Sequence, residues 1–152
     1  HLPVYRFALR LTGSVADAED IVQECFASLL KPTCSYDPKR APLRTYLFGI
    51  AWKHYLKRAA QKPGAAPAPV PRTPEDATFQ SEMRDAVARA VTQLSEPQRV
   101  VLILACYEQL PLAGVAQLLD IELGAVKMRL QRARAQLKEL LSAYAPGGKE
   151  IA

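Results

Sequence analysis

Five prolines within the twelve residues 63–74, PGAAPAPVPRTP, constrain this chain more than any other feature. Proline lacks the amide donor that a helix interior or a central strand requires, so this segment can continue neither. It predicts a linker over residues 62–78, extended and semi-stiff in polyproline II geometry, that joins two domains and holds them apart. The flanking stretches, 1–61 and 79–143, are each long enough for a small core, and 144–152 is left as a tail.

A hydrophobic share of 49% supplies those cores. No run approaches the roughly 18 uninterrupted apolar residues of a membrane span, so a cytoplasmic chain without membrane insertion is expected. The opening at His1, in mid-pattern, predicts further residues upstream. Three widely spaced cysteines and two histidines, with no CxxC pair, argue against a zinc site, a disulfide framework or any other metal or cofactor. Cys25 and Cys106 sit among apolar neighbours and are expected in the core, whereas Cys34 follows Pro32 in an exposed loop. No nucleophile or acid–base pair is placed by spacing, and His54 falls on an apolar stripe, so binding rather than enzymatic catalysis is expected.

Both halves read as all-α. Val4, Phe7, Ala8 and Leu11 recur at helical spacing; Gly13 is a stop, and Ser14 with Asp17 is an N-capping pair. Ala18, Ile21, Val22, Cys25, Phe26 and Leu29 stripe a second helix to about Lys31. After a proline-containing loop a third runs from Leu43 to Ala60. Beyond the linker, a helix through Met83, Val87, Ala90, Val91 and Leu94 is followed by a Ser95/Gln98 capping box that opens another. Pro111 interrupts that one. A short helix with Val115, Ala116, Leu118 and Leu119, a turn at Asp120–Leu123 and a long basic helix from Gly124 complete a four-helix domain.

Those last elements have the form of a helix-turn-helix, whose second helix must be free to enter the major groove of DNA. Val126, Leu130, Ala133 and Leu137 form its packed stripe, while Lys127, Met128, Gln131, Arg132 and Arg134 fall on other faces. Gly124 to Lys138 carries five bases and no acid. Early polar positions suit base edges, and later arginines suit phosphate.

Charge is distributed unevenly along a chain of net charge +5. Between Tyr36 and Arg58, five aromatic residues (Tyr36, Tyr46, Phe48, Trp52, Tyr55) alternate with six Lys/Arg residues. Rings flanked by cations suit unpaired nucleotides, since every base offers a π-face and every nucleotide a phosphate. Phe48 is expected to pack and Trp52 to stay available. The stretch DAEDIVQE, Asp17 to Glu24, is acidic; the helix dipole accounts for Asp17 and Glu19 but not for Asp20, Gln23 and Glu24.

With these segments in order, the chain resembles the extracytoplasmic-function group of the sigma-70 family. DAEDIVQECFASLL resembles the segment that docks on the polymerase β′ clamp. YDPKRAPLRTYLFGIAWKHYLKR resembles the one that melts and reads the minus-ten element. LSEPQRVVLILACYEQLPLAGVAQLLDIELGAVKMRLQRARAQLKELL resembles the minus-thirty-five-reading domain. The resemblance implies an alternative sigma factor that binds core RNA polymerase, at its β′ clamp and β flap, and directs initiation at promoter DNA. It further implies an anti-sigma factor as partner. Carried over by position, Asp20, Gln23 and Glu24 would contact polymerase. Arg40, Leu43, Arg44, Tyr46, Trp52, Lys53 and Lys57 would handle the minus-ten strand, with a base flipped out of its stack. Ala125, Lys127, Met128, Gln131, Arg132 and Arg134 would face the minus-thirty-five groove. The recognition turn reads GAVKMR where the family usually has GTVKSR or GTVRSR, so Ala125 and Met128 replace two hydroxyls and could meet thymine methyls instead. Two other readings remain: a helix-turn-helix regulator that needs no polymerase, and a sigma mimic that titrates an anti-sigma factor.

Overall fold

The computed structural model describes residues 2–61 and 79–142. These form α-helices and connecting turns, with no strand among the described residues. The expected linker at 62–78 and tail at 144–152 lie outside them.

The first half is a three-helix unit: α1 (Leu2–Thr12), α2 (Val15–Leu30) and α3 (Leu43–Gln61). Gly13 sits at φ 67°, and its amide donates to Leu9 O at 2.8 Å. This left-handed position favours a residue without a Cβ. Ser14 caps α2 by accepting from the Asp17 amide at 3.3 Å. Phe7, Leu11, Ile21, Cys25, Leu47 and Phe48 fill the space between the helices, and the Phe7 and Phe48 rings tilt together at 5.0 Å.

In the second half, α4 (Phe79–Thr92) leads to α5 (Glu96–Leu102), α6 (Leu112–Leu119) and α7 (Leu123–Leu140). The Ser95/Gln98 capping box does not form. Ser95 caps α5 by backbone geometry alone, and Gln98 Oε1 is buried without a partner. The helical run reaches Tyr107 as expected, but α5 does not stay regular to its end. It passes at Ile103–Tyr107 into one π-helical turn, closed by the Glu108 amide donating to Ile103 O at 3.0 Å. Such a turn inserts an extra residue per revolution and rotates the side chains beyond it. Cys106 is thereby turned to the surface, so its expected place in the core is wrong, while Glu108 is turned inward.

The α6–α7 connection is a Schellman-type turn. Asp120 adopts φ 55°, its amide donates to Gln117 O at 3.3 Å, and the Ile121 amide reaches Ala116 O at 3.0 Å. Val115 and Ala116 of α6 are buried with Val126, Leu130 and Ala133 of α7, which sets α7 on its scaffold.

The two halves are not held apart. α6 packs on α3, and the buried residues of both halves form one contiguous cluster. A polyproline-rich stretch limits local bending but not the return of its far end, so complementary faces on the two halves decide their contact.

Candidate nucleic-acid interface

Burying Val126, Leu130 and Ala133 leaves the opposite side of α7 to solvent. Lys127, Met128, Gln131 and Arg132 are exposed there, Met128 by 51%, and Ala125 is half-buried at the first turn. Arg134 is also exposed but lies toward Cys106, with Nη2 3.8 Å from its Sγ. The face expected for base reading is continuous, cationic and backed by a rigid stripe.

In the first half, the loop before α3 is ordered by an Asx turn, in which Asp37 Oδ1 accepts from the Lys39 amide at 2.9 Å. This presents Arg40. Arg40, Tyr46 and Lys53 line one side of a cleft of about 250 Å³, together with Gly49. Tyr46 is held by the Tyr36 ring at 5.0 Å. The opposite wall comes from Gln117 and Leu118 of α6.

The remaining expected strand-reading residues fall elsewhere. Trp52 is half-buried and stacks on Tyr55, with centroids 5.3 Å apart, so part of its ring is committed to packing. Leu43 and Lys57 are exposed but outside the cleft lining. Arg44 extends over the Phe48 ring at 5.0 Å and donates to Glu108 Oε2 at 2.9 Å.

Asp20, Gln23 and Glu24 are exposed on α2. Asp20 and Glu24 lie 3.4 and 3.7 Å from Arg58 Nη2, and Asp17 lies 3.3 Å from Nη1. His54 is placed by its 3.1 Å contact with Glu24 rather than by apolar packing alone.

Several residues that tie this surface together carry no signal in the sequence. Glu108, its side chain 5% exposed, is gripped by Arg44 and by Arg10 at 3.2 Å, and Arg10 also lies over the Tyr107 ring at 4.4 Å. Arg99, 4% exposed, donates to Tyr55 Oη at 3.1 Å, and that hydroxyl donates to Glu96 Oε2 at 3.2 Å. Burial pushes the Tyr55 and Tyr107 phenols up from their usual ionisation range. These partners are separated by 41 to 98 residues in the chain, beyond the reach of local periodicity.

Comparison with known proteins places both halves. A Sigma-70 region 2 family model matches residues 1–62, and a Sigma-70, region 4 model matches residues 84–137. The chain is 28% identical over 155 residues to the ECF RNA polymerase sigma factor SigW of Bacillus subtilis, covering 91% of this chain and 82% of that protein. It is 33% identical over 150 residues to the ECF RNA polymerase sigma factor SigL of Mycobacterium tuberculosis, covering 90% and 84%. Among solved structures, the sigma factor RpoE in complex with the anti-sigma factor NepR from Bartonella quintana has a similar fold. Its TM-score is 0.72 at 23% identity, covering 91% of this chain and 89% of that one.

Proposed function

The chain belongs to the extracytoplasmic-function group of the sigma-70 family, and from that premise we propose how its residues divide the work of promoter-specific initiation. It is an alternative sigma factor whose partners are core RNA polymerase and promoter DNA. None of its described helices is long and apolar enough to cross a membrane.

Polymerase supplies the chemistry, and this chain supplies binding and specificity in the cytoplasm. Asp20, Gln23 and Glu24 dock on the β′ clamp through their exposed face of α2, and the second half meets the β flap. Lys127, Met128, Gln131 and Arg132, with Ala125 at the helix start, enter the minus-thirty-five major groove, and Arg134 is a flanking phosphate contact. Arg40, Tyr46 and Lys53 hold the flipped minus-ten base in their cleft; Arg44, Leu43 and Lys57 follow the strand; Trp52 abuts the melted edge. An anti-sigma factor that covers these faces is the proposed regulator.

One observation carries this reading. A single chain presents two cationic surfaces, one shaped as a helix for duplex and one as a cleft with aromatic side chains for an unstacked base. A regulator acting on duplex alone would need only the first, and a titrating mimic neither.

Run-off transcription with core polymerase on genomic promoter fragments tests it: discrete, sigma-dependent start sites are expected. Duplex binding with no polymerase association would overturn the proposal. Trp52→Ala is expected to reduce permanganate reactivity of the melted strand more than closed-complex formation, and equal loss in both would remove Trp52 from strand opening.

A further inference from the structure

The α2 acids assigned to polymerase docking already have a cation of their own. We propose that Arg58 is an internal stand-in for the polymerase's cation. It holds Asp20 and Glu24 in the free chain and is displaced on docking, so it limits which cationic surfaces the α2 face accepts. This inference rests on the docking role proposed above and deepens it.

One guanidinium serves three carboxylates. Asp17, Asp20 and Glu24 follow one another at helical spacing and so fall on one side of α2. Arg58, in the last turn of α3, reaches across from the neighbouring helix. Its Nη1 lies 3.3 Å from Asp17 Oδ1, and its Nη2 lies 3.4 Å from Asp20 Oδ2 and 3.7 Å from Glu24 Oε1. One turn earlier on α3, His54 Nδ1 lies 3.1 Å from the other Glu24 oxygen, Oε2. Both Glu24 oxygens and one Asp20 oxygen are therefore engaged from within the chain. The Arg58 Nε is buried without a hydrogen-bond partner, so the guanidinium relies on these carboxylates.

Carboxylates at this spacing repel one another, and Arg58 offsets part of that repulsion. A partner cation that docks here gains contacts with Asp20 and Glu24 but ends their contacts with Arg58. The Asp20 and Glu24 side chains are 56% and 47% exposed, so each is a surface pair worth a factor of about 1.5 to 5 in an equilibrium constant. Docking is thereby weakened severalfold for every cationic surface. A partner that also hydrogen-bonds Gln23 and matches the shape of α2 makes up the difference, and an unstructured cation does not. Arg58 thus acts on partner choice without itself contacting the partner.

Binding of the full chain to core polymerase, followed by surface plasmon resonance, tests the stand-in. Arg58→Met keeps an aliphatic stem and removes the charge, whereas Arg58→Lys keeps the charge. At low salt Arg58→Met is expected to bind about two- to tenfold tighter than wild type, chiefly through faster association, and Arg58→Lys to match wild type. The difference should close near about 1 M salt, where the screening length is about 3 Å. Unchanged or weaker binding by Arg58→Met, or an equal gain in Arg58→Lys, overturns the stand-in. Where circular dichroism shows that Arg58→Met does not fold, Arg58→Gln takes its place with the same expectation. A hexa-arginine peptide supplies a readout that needs no polymerase: severalfold tighter binding to the uncharged variant by fluorescence anisotropy, with unchanged affinity overturning the proposal. Failure of the wild-type chain to bind core polymerase would refute the docking role itself, and the peptide titration would still decide the stand-in.

Discussion

Removing one hydroxyl, by Tyr55→Phe, should cost this protein about 2 kcal/mol of stability. Arg99 is 4% exposed and uses two donors: Nη1 to Leu94 O at 3.3 Å and Nη2 to Tyr55 Oη at 3.1 Å, while its buried Nε has no partner. Phenylalanine preserves ring packing on Trp52 but strands the Nη2 donor of a buried cation. A hydrogen bond to a charged group contributes about 1.5 to 3 kcal/mol net, and water cannot easily replace this one. Glu96 loses the same hydroxyl at little cost, because its half-buried carboxylate can turn to solvent. For a chain of this size, about 2 kcal/mol lowers Tm by roughly 4 to 8 °C. Thermal unfolding followed by circular dichroism at 222 nm measures the shift, and urea titration gives the free energy. Arg99→Met completes a double-mutant cycle. Once the cation is gone, adding Tyr55→Phe should cost under about 0.5 kcal/mol, leaving a coupling of about 1.5 kcal/mol. A Tyr55→Phe loss below about 0.5 kcal/mol, or full additivity with Arg99→Met, would refute the relay.

Burial, then the neighbouring Glu24 charge, pushes the Cys25 thiol from 9.0 up to about 12. The unfolded chain gives up this proton at lower pH, so its contribution to stability is complete below pH 9 and falls by about 1 kcal/mol per pH unit up to about 12. Cys25→Ala should flatten that alkaline slope. At neutral pH, a thiol reagent should modify Cys34 and Cys106 in the native protein and reach Cys25 only on unfolding, as peptide mapping would show. Asp120 holds φ 55° in the turn of the helix-turn-helix. Asp120→Gly should therefore stabilise by about 0.5 kcal/mol and Asp120→Val destabilise by about 1 to 2 kcal/mol in thermal melts. On α7, Lys127→Ala should lower the slope of log affinity against log salt by about 1 in duplex titrations. Met128→Ser should change which promoter sequences are selected while leaving that slope unchanged.

How much of this was legible in the sequence depends on the range of the interaction. The α7 stripe, the Gly13 stop and the Ser14 cap are local, set by side chains within four residues of one another, and each is found where periodicity puts it. Phe48 is fully buried as expected. The errors arise where backbone geometry departs from a regular helix or where a distant partner intervenes. Cys106 has apolar neighbours in sequence, but the π-helical turn rotates it outward. Ser95 has the right spacing to Gln98, yet the reciprocal bond is not made. His54 lies on an apolar stripe, yet Glu24 of another helix engages its Nδ1. Glu108, a lone acid between two helices, could not announce its arginines, which lie 64 and 98 residues earlier. The same blindness applies to the contact between halves: a proline-rich boundary is visible in one dimension, and the complementarity of the surfaces it joins is not.

Two charge clusters proposed to act in the first half differ in how deeply their carboxylates are buried. The α2 acids proposed for docking are compensated by Arg58 but remain in water, with the Asp20 and Glu24 side chains 56% and 47% exposed. In the proposed docking, exchanging Arg58 for a polymerase cation would trade one screened surface pair for another, with little cost in desolvation. Arg44 is paired instead with a carboxylate that is 5% exposed, and releasing it leaves that carboxylate to be hydrated or buried alone. The proposed docking through α2 would therefore leave the Glu108 cluster undisturbed. In the proposed strand-reading role, Arg44 would exchange Glu108 for phosphate, and the carboxylate would then need hydration or its Arg10 partner alone.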